Sequence, residues 1–152
     1  MACKLFNRTN KNVTIIQCRE IIPGRLMFMD IFLFGKKLRI INIYTAQDRV
    51  KKIQLFNKLK MLLCVGYYVI LCGDFNTITD EQDRISGRLC KIGREGKVLK
   101  EIMSEYNMQD TFRIVYPNRI DFTRFDSVYK TRIDRIYVNK KFSIISYKTK
   151  ML

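Results

Sequence analysis

The chain has 152 residues, 47% hydrophobic and 28% charged, a balance that fits one globular domain with a real core and excludes a disordered tail or a disulfide-stapled mini-protein. Lys and Arg number 29 against 14 Asp and Glu, a formal charge of +15 spread along both halves, which attracts polyanions, nucleic acid foremost. Histidine is absent, so any catalysis has to use carboxylates, tyrosine, lysine or a metal.

The longest apolar run, "LMFMDIFLFG", is broken by Asp30 and too short to span a membrane. The opening "MACKLFNRTNKN" lacks the layout of a signal peptide, so a location inside the cell and away from membranes is expected. The five cysteines (Cys3, Cys18, Cys64, Cys72, Cys90) are odd in number and include no C-x-x-C; mostly buried free thiols are expected. Nothing calls for a small-molecule cofactor.

In chain order, a strand is expected at about Val13 to Cys18. "RLMFMDIFLF" follows, and its nearly continuous apolar run predicts burial on both faces. Gly35-Lys36 supplies a tight turn and "KLRIINIY" the returning hairpin strand. Asp48 is placed to cap a helix in which Val50, Ile53, Phe56, Leu59 and Leu63 form the apolar stripe, with Lys51, Lys52, Lys58 and Lys60 on the solvated face. "YYVILC" reads as a buried strand, residues 77–93 as a loop, and "REGKVLKEIMSEYN" as a second amphipathic helix with Val98, Ile102 and Tyr106 inward. A helical turn at "DTFRIVYP", strands at "DFTRF" and "TRIDRIYV", and a last strand at "SIISYK" complete the reading. Strand, helix and strand mixed with hairpins mean an α/β or α+β fold with much antiparallel pairing. In "RIDRIYV", Asp134 shares a face with Ile136 and Val138. If that face is the core, Asp134 is a partly buried carboxylate that needs a partner such as Arg132, Arg135 or a water.

Ligands of α/β proteins gather where strands end. Three polar sets fall at such places or at inward strand positions: Asn42 and Tyr44 in "INIY", Asp74 and Asn76 in "LCGDFN", and Asp134 in "RID". A carboxylate that orients water, an amide that holds it and a phenol that steadies developing charge are the group types that phosphodiester hydrolysis uses. Asp and Asn after Gly are also ordinary turn formers, and a strand tyrosine ordinarily packs.

The ordered string "GRLMFMDIFLFGKKLRIINIYTA", "VILCGDFNTITDEQDRISGR" and "MQDTFRIVYPNRIDFTRFDSVYKTRIDRIYV" resembles the endonuclease/exonuclease/phosphatase superfamily over about residues 12–142. The Asp83-Arg84 pair, the "TFRIVYP" turn and the "TRIDRIYV" strand look most like its branch in non-LTR (LINE-type) retrotransposons. The resemblance implies a four-layer α/β sandwich, two packed mixed β-sheets flanked by helices, and Mg2+-dependent hydrolysis of a DNA phosphodiester by water. Carried over, Asp74 is the carboxylate that activates the water and Asn76 the amide that positions it, the two also being the metal-contacting pair. Tyr44 is the phenol on the scissile phosphate, and Asp134 the aspartate that orients a catalytic histidine. Arg49, Arg84, Arg132 and Thr123 are candidates for nucleic-acid contact, and action on genomic DNA implies the nucleus.

The departures shape the expectation as well. The family carries a metal-binding Glu on its first strands and an Asp-His pair on its last. In this chain Glu20 is the only glutamate before residue 81 and stands too close to "INIY" to be that ligand. "TAQD" replaces the usual Pro-Asn after the tyrosine, with Gln47 a partial substitute. The sequence therefore reads as a single partial domain over residues 1–152, lacking the family's first and last strands, whose missing strands another chain can supply. Three functions stay open: an active DNA endonuclease, a non-catalytic basic nucleic-acid-binding remnant, and a phosphoesterase acting on another substrate such as a phosphoinositide. Endonuclease by ancestry, impaired or inactive as this chain, is the expectation.

Overall fold

The computed structural model describes residues 13–86, 91–139 and 141–142. Cys3, Cys90 and the strand expected at "SIISYK" lie outside them. Strand β1 (Val13–Ile22) runs antiparallel to β2 (Leu26–Leu33), and β2 antiparallel to β3 (Lys36–Tyr44). The turn between β2 and β3 forms one residue earlier than expected, at Phe34 and Gly35, with φ of 46° and 78°. Positive φ at both central residues lets a two-residue turn follow the strands' own twist.

Helix α1 (Arg49–Leu63) crosses to β4 (Tyr68–Asp74), which lies parallel to β3. Asp48 caps α1 as expected, its carboxylate accepting the Lys51 N–H at 2.8 Å. The buried face of α1, however, is Lys52, Leu55, Phe56, Leu59, Leu62 and Leu63. Val50 is 63% exposed and Lys52 only 3%, so the stripe is rotated toward a lysine that the sequence places in solvent.

The loop expected over residues 77–93 contains a 3-10 turn at Glu81–Asp83 and a short strand β5 (Arg84–Ser86). Helix α2 (Arg94–Glu105) approaches this segment closely: a Cβ on Gly96 would stand 2.2 Å from the Ile78 carbonyl oxygen, so only glycine fits. Then come β6 (Met108–Asp110), α3 (Thr111–Val115), β7 (Arg124–Phe125), β8 (Tyr129–Thr131) and β9 (Asp134–Asn139). "TRIDRIYV" is not one strand. The chain leaves β8 and passes through Arg132 and Ile133 into β9, which belongs to a different sheet.

The larger sheet has the order β1-β2-β3-β4-β9-β6 and the smaller one β5-β8-β7. One face of the larger sheet packs on α1 and α2, with Leu26, Phe28, Ile41, Ile43, Val69, Leu71 and Tyr137 meeting Phe56, Leu59, Leu99 and Ile102. Burying this much apolar area is the main stabilising term of the fold. The opposite face is only partly closed: Met27, Met29, Ile40 and Ile70 are half-buried and Ile136 is 38% exposed. The expectation that β2 is buried on both faces therefore fails: among the described residues Met27 and Met29, on the face away from α1 and α2, are only half-buried. Cys18 and Cys72 are half-buried and Cys64 is exposed, so none of the described cysteines is the buried thiol expected.

Asp30 interrupts the apolar run of β2 yet is 1% exposed. Arg39, its ladder partner on β3, meets it with two hydrogen bonds of 2.7 Å, and Gln17 adds a third at 2.6 Å. A buried carboxylate is tolerable only when paired in this way.

Candidate active site

Three ladder partners bring the expected residues into one row. Tyr44 on β3 is opposite Asp74 on β4, and Asp74 is opposite Asp134 on β9. The row closes the end of the sheet on the face away from the helices, since Ile43, Gly73 and Arg135, one position along, form the inward row. Asp134 is consequently exposed, and Arg135, not Asp134, is the buried residue of "RIDRIYV". The sequence pairs Asp134 with the wrong face because Arg135 looks like a surface residue; its guanidinium is buried because an acid waits for it.

Gly73 makes the row possible. It holds φ +137°, and a Cβ there would lie 1.9 Å from the Ile43 carbonyl oxygen, so the two parallel strands approach more closely than any side chain allows. Beyond Asp74 the chain turns under tight control. Asn76 has φ +46°, its N–H donates to Asp74 Oδ1 at 2.7 Å, and its Nδ2 donates to the Thr45 carbonyl at 2.9 Å. The Thr45 N–H donates to the Asp74 carbonyl, and the Phe75 N–H to that of Ile133. Asn tolerates the left-handed region better than most residues.

Burial pushes the Asp74 carboxyl above the usual carboxylate range, and the facing Asp134 charge adds to this; the Asn76 N–H, Arg124 and Lys52 pull the other way. A carboxyl held up in this manner is suited to accept a proton from water. Two cations near it escaped the sequence reading. Arg124 acts on Asp74 through its charge while bonding Asp126 at 3.1 Å. Lys52 is buried, and its Nζ donates to the Asn76 carbonyl at 2.5 Å. Burial draws Lys52 below the ordinary lysine range, against the charges of Glu95 and Asp74. No periodicity distinguishes Lys52 from its neighbours Lys51 and Lys58; only contact with the turn does.

A second cluster fixes what surrounds the row. The fully buried Asp83 carboxylate accepts from Arg113 at 2.7 Å, Arg132 at 2.9 Å and Arg135 at 3.0 Å. Arg132 also grips Asp110 with 3.2 and 2.7 Å bonds, and Arg135 donates to the Thr77 carbonyl at 2.8 Å. These bonds tie the segment after Asn76 to the segment before Asp134. Arg132 and Arg135 thus pair with Asp83 instead of Asp134, contrary to expectation.

The remaining nucleic-acid candidates fall in different places. Arg132, with a side chain 4% exposed, is bound to Asp83 and Asp110. Arg49 is 65% exposed in its side chain and lies 3.1 Å from Glu95. Arg84 stacks on Tyr129 at 4.3 Å. Thr123 Oγ1 accepts the N–H groups of Ile133 and Asp134, both at 3.1 Å, and so fixes the start of β9.

A metal cage made of protein ligands alone needs more than this row offers. Among the described residues no group of three or more His, Cys, Asp or Glu side chains comes together. Asp74 and Asp134 are two carboxylates, and Asp74 Oδ1 already accepts from Asn76. The described residues alone do not form a Mg2+ cage.

The model of the endonuclease/exonuclease/phosphatase family matches residues 10–150 of the chain. The chain belongs to this family. A Xenopus laevis protein described as a transposon TX1 uncharacterized 149 kDa protein is 26% identical over 132 residues, covering 82% of this chain and 10% of its own length. An AP endonuclease from Archaeoglobus fulgidus shares the fold with a TM-score of 0.63 at 21% identity, over 77% of this chain and 53% of that one. A 3'-5' exonuclease from Neisseria meningitidis does so with a TM-score of 0.65 at 18% identity, over 84% and 60%. A 3' phosphatase from Neisseria bound to a product DNA hairpin gives 0.64 at 18%, again over 84% and 60%. The mixed α/β architecture of a six-stranded and a three-stranded sheet with helices is therefore this family's fold. The chain spans a tenth of the length of its transposon relative and little more than half of the structural ones.

Proposed function

We propose that the chain belongs to a DNA endonuclease of the retrotransposon type, and that a DNA phosphodiester lies against the row of Tyr44, Asp74 and Asp134. The observation that carries this reading is the row itself, with Asn76 clamped beside it, in a chain of this family. The transposon relative supports the branch, and the charge of +15 supports a polyanionic partner.

Asp74 accepts a proton from the attacking water and Asn76 holds that water in line; Tyr44, half exposed at the strand end, donates its phenolic hydrogen bond to the phosphate. Arg124 and Lys52 balance the charge beside Asp74. The chain has no imidazole and the row no third metal ligand among the described residues. Hydrolysis by this chain alone is accordingly strongly reduced or absent, and these two facts favour a second reading, a binding remnant without turnover.

Nicking of supercoiled plasmid, with Mg2+ and with chelator, separates the two. Slow chelator-sensitive nicking that disappears in Asp74→Ala supports the endonuclease. DNA retention without nicking supports the remnant. Nicking unaffected by Asp74→Ala, or no binding to DNA at low salt, overturns the placement of the phosphodiester.

A further inference from the structure

Lys52 is 3% exposed in the first turn of α1, on the helix side of the sheet. Its Nζ donates to the Asn76 main-chain carbonyl at 2.5 Å. Among the described residues no carboxylate oxygen forms a salt bridge with it, although Asp74, Glu95 and Asp48 act on it at longer range and Arg49 opposes them. A buried ammonium is costly, and packing alone at this position is served better by an apolar side chain of the same length. The ammonium's hydrogen bond goes to Asn76, which holds the positive φ that few residues with a side chain adopt.

With Lys52 included, three polar groups of Asn76 are held by the protein. Its N–H is on Asp74, its Nδ2 on Thr45 and its carbonyl on Lys52. Releasing the carbonyl frees the peptide after Asn76 to rotate, which moves the carboxamide and loosens the N–H that orients Asp74. Small displacements of this kind cost far more in a reacting site than in a surface turn.

We propose that Lys52 is a positioning residue of the phosphodiester site: its hydrogen bond to the Asn76 carbonyl holds the left-handed turn that sets Asn76 against Asp74. This rests on the function proposed above only for what the site does; the clamp itself is testable without turnover.

The experiment compares the full chain with Lys52→Met, which keeps the stem and removes the donor, and with Lys52→Arg, which restores a donor, by amide exchange and NMR. In Lys52→Met the main-chain amide and side-chain carboxamide of Asn76 are expected to shift and to exchange at least about tenfold faster, while β1 and β2 amides keep their protection. Lys52→Arg is expected to recover most of the difference. Unchanged Asn76 signals, or exchange accelerated equally throughout, overturns the proposal. Should Lys52→Met fail to fold, the unmodified protein decides: a protected Lys52 ammonium coupled to the Asn76 carbonyl carbon supports the clamp, and a freely exchanging ammonium overturns it. A DNA duplex added to the unmodified chain shifts the Asn76 signals if the phosphodiester reading holds. Failure of that step with the clamp intact sinks the function and leaves the clamp.

Discussion

Asp74 and Asp134 stand opposite each other on adjacent antiparallel strands, two carboxylates facing across one ladder position at the end of the sheet. Like charges so placed repel, and the repulsion adds to burial in raising the Asp74 carboxyl. Because the folded value lies above the unfolded one, this group costs stability as pH rises through the carboxylate range. Asp134→Asn removes the repulsion. It is expected to lower the Asp74 titration seen by carbon NMR and to stabilise the protein at pH 7 by about 0.2–1 kcal/mol.

Asp83 acts in the opposite sense. Burial pushes its carboxyl up, but the Arg135 and Arg132 charges, with hydrogen bonds from Arg113 and Arg132, outweigh burial and hold it at about 2. Since this lies below the ordinary 3.8, its contribution of about 2 kcal/mol is complete above pH 4 and is lost as pH falls through 2. Asp83→Asn should flatten that part of the pH–stability profile. At neutral pH it should cost about 3–5 kcal/mol in denaturant unfolding, because three guanidinium groups lose a shared partner.

Gly73→Ala is expected to destabilise the fold by about 2–4 kcal/mol, as the new methyl group meets the Ile43 carbonyl and the backbone cannot keep φ +137°. Thermal unfolding measures the loss. Gly24→Ala, at φ +64° with open space around it, should cost less.

The Asp30–Arg39 pair offers a test of buried-charge energetics away from the site. Arg39→Met alone leaves Asp30 buried without its main partner and should cost about 3–5 kcal/mol. Adding Asp30→Leu should recover most of that in chemical denaturation, because two apolar residues satisfy the same space.

Local chemistry made much of the fold legible. The Asp48 cap, the β2–β3 hairpin, α2 and the Asp110-capped turn of α3 all follow from short-range pattern and capping. What escaped depends on partners distant in sequence. Arg135 reads as a partner for Asp134 and Lys52 as a solvated cation, yet one is buried on Asp83, 52 positions away, and the other on Asn76, 24 positions away. The break of "TRIDRIYV" at Arg132 is likewise invisible to alternation, since it is set by the Arg132 hydrogen bonds to Asp83 and Asp110. The row of Tyr44, Asp74 and Asp134 was legible as three motifs, but their alignment is a property of strand register that no single motif encodes.

Whether a DNA phosphate lies against this row is decided by DNA affinity measured without metal. A phosphate close to Asp74 and Asp134 is repelled by them; one unit charge near 4 Å is worth about 1 kcal/mol even in water. Fluorescence anisotropy with a labelled duplex, at low salt and with chelator, should therefore show Asp74→Asn and Asp134→Asn each binding roughly fivefold more tightly than the unmodified chain. Affinities unchanged by both substitutions, in proteins that remain folded, would contradict the claim.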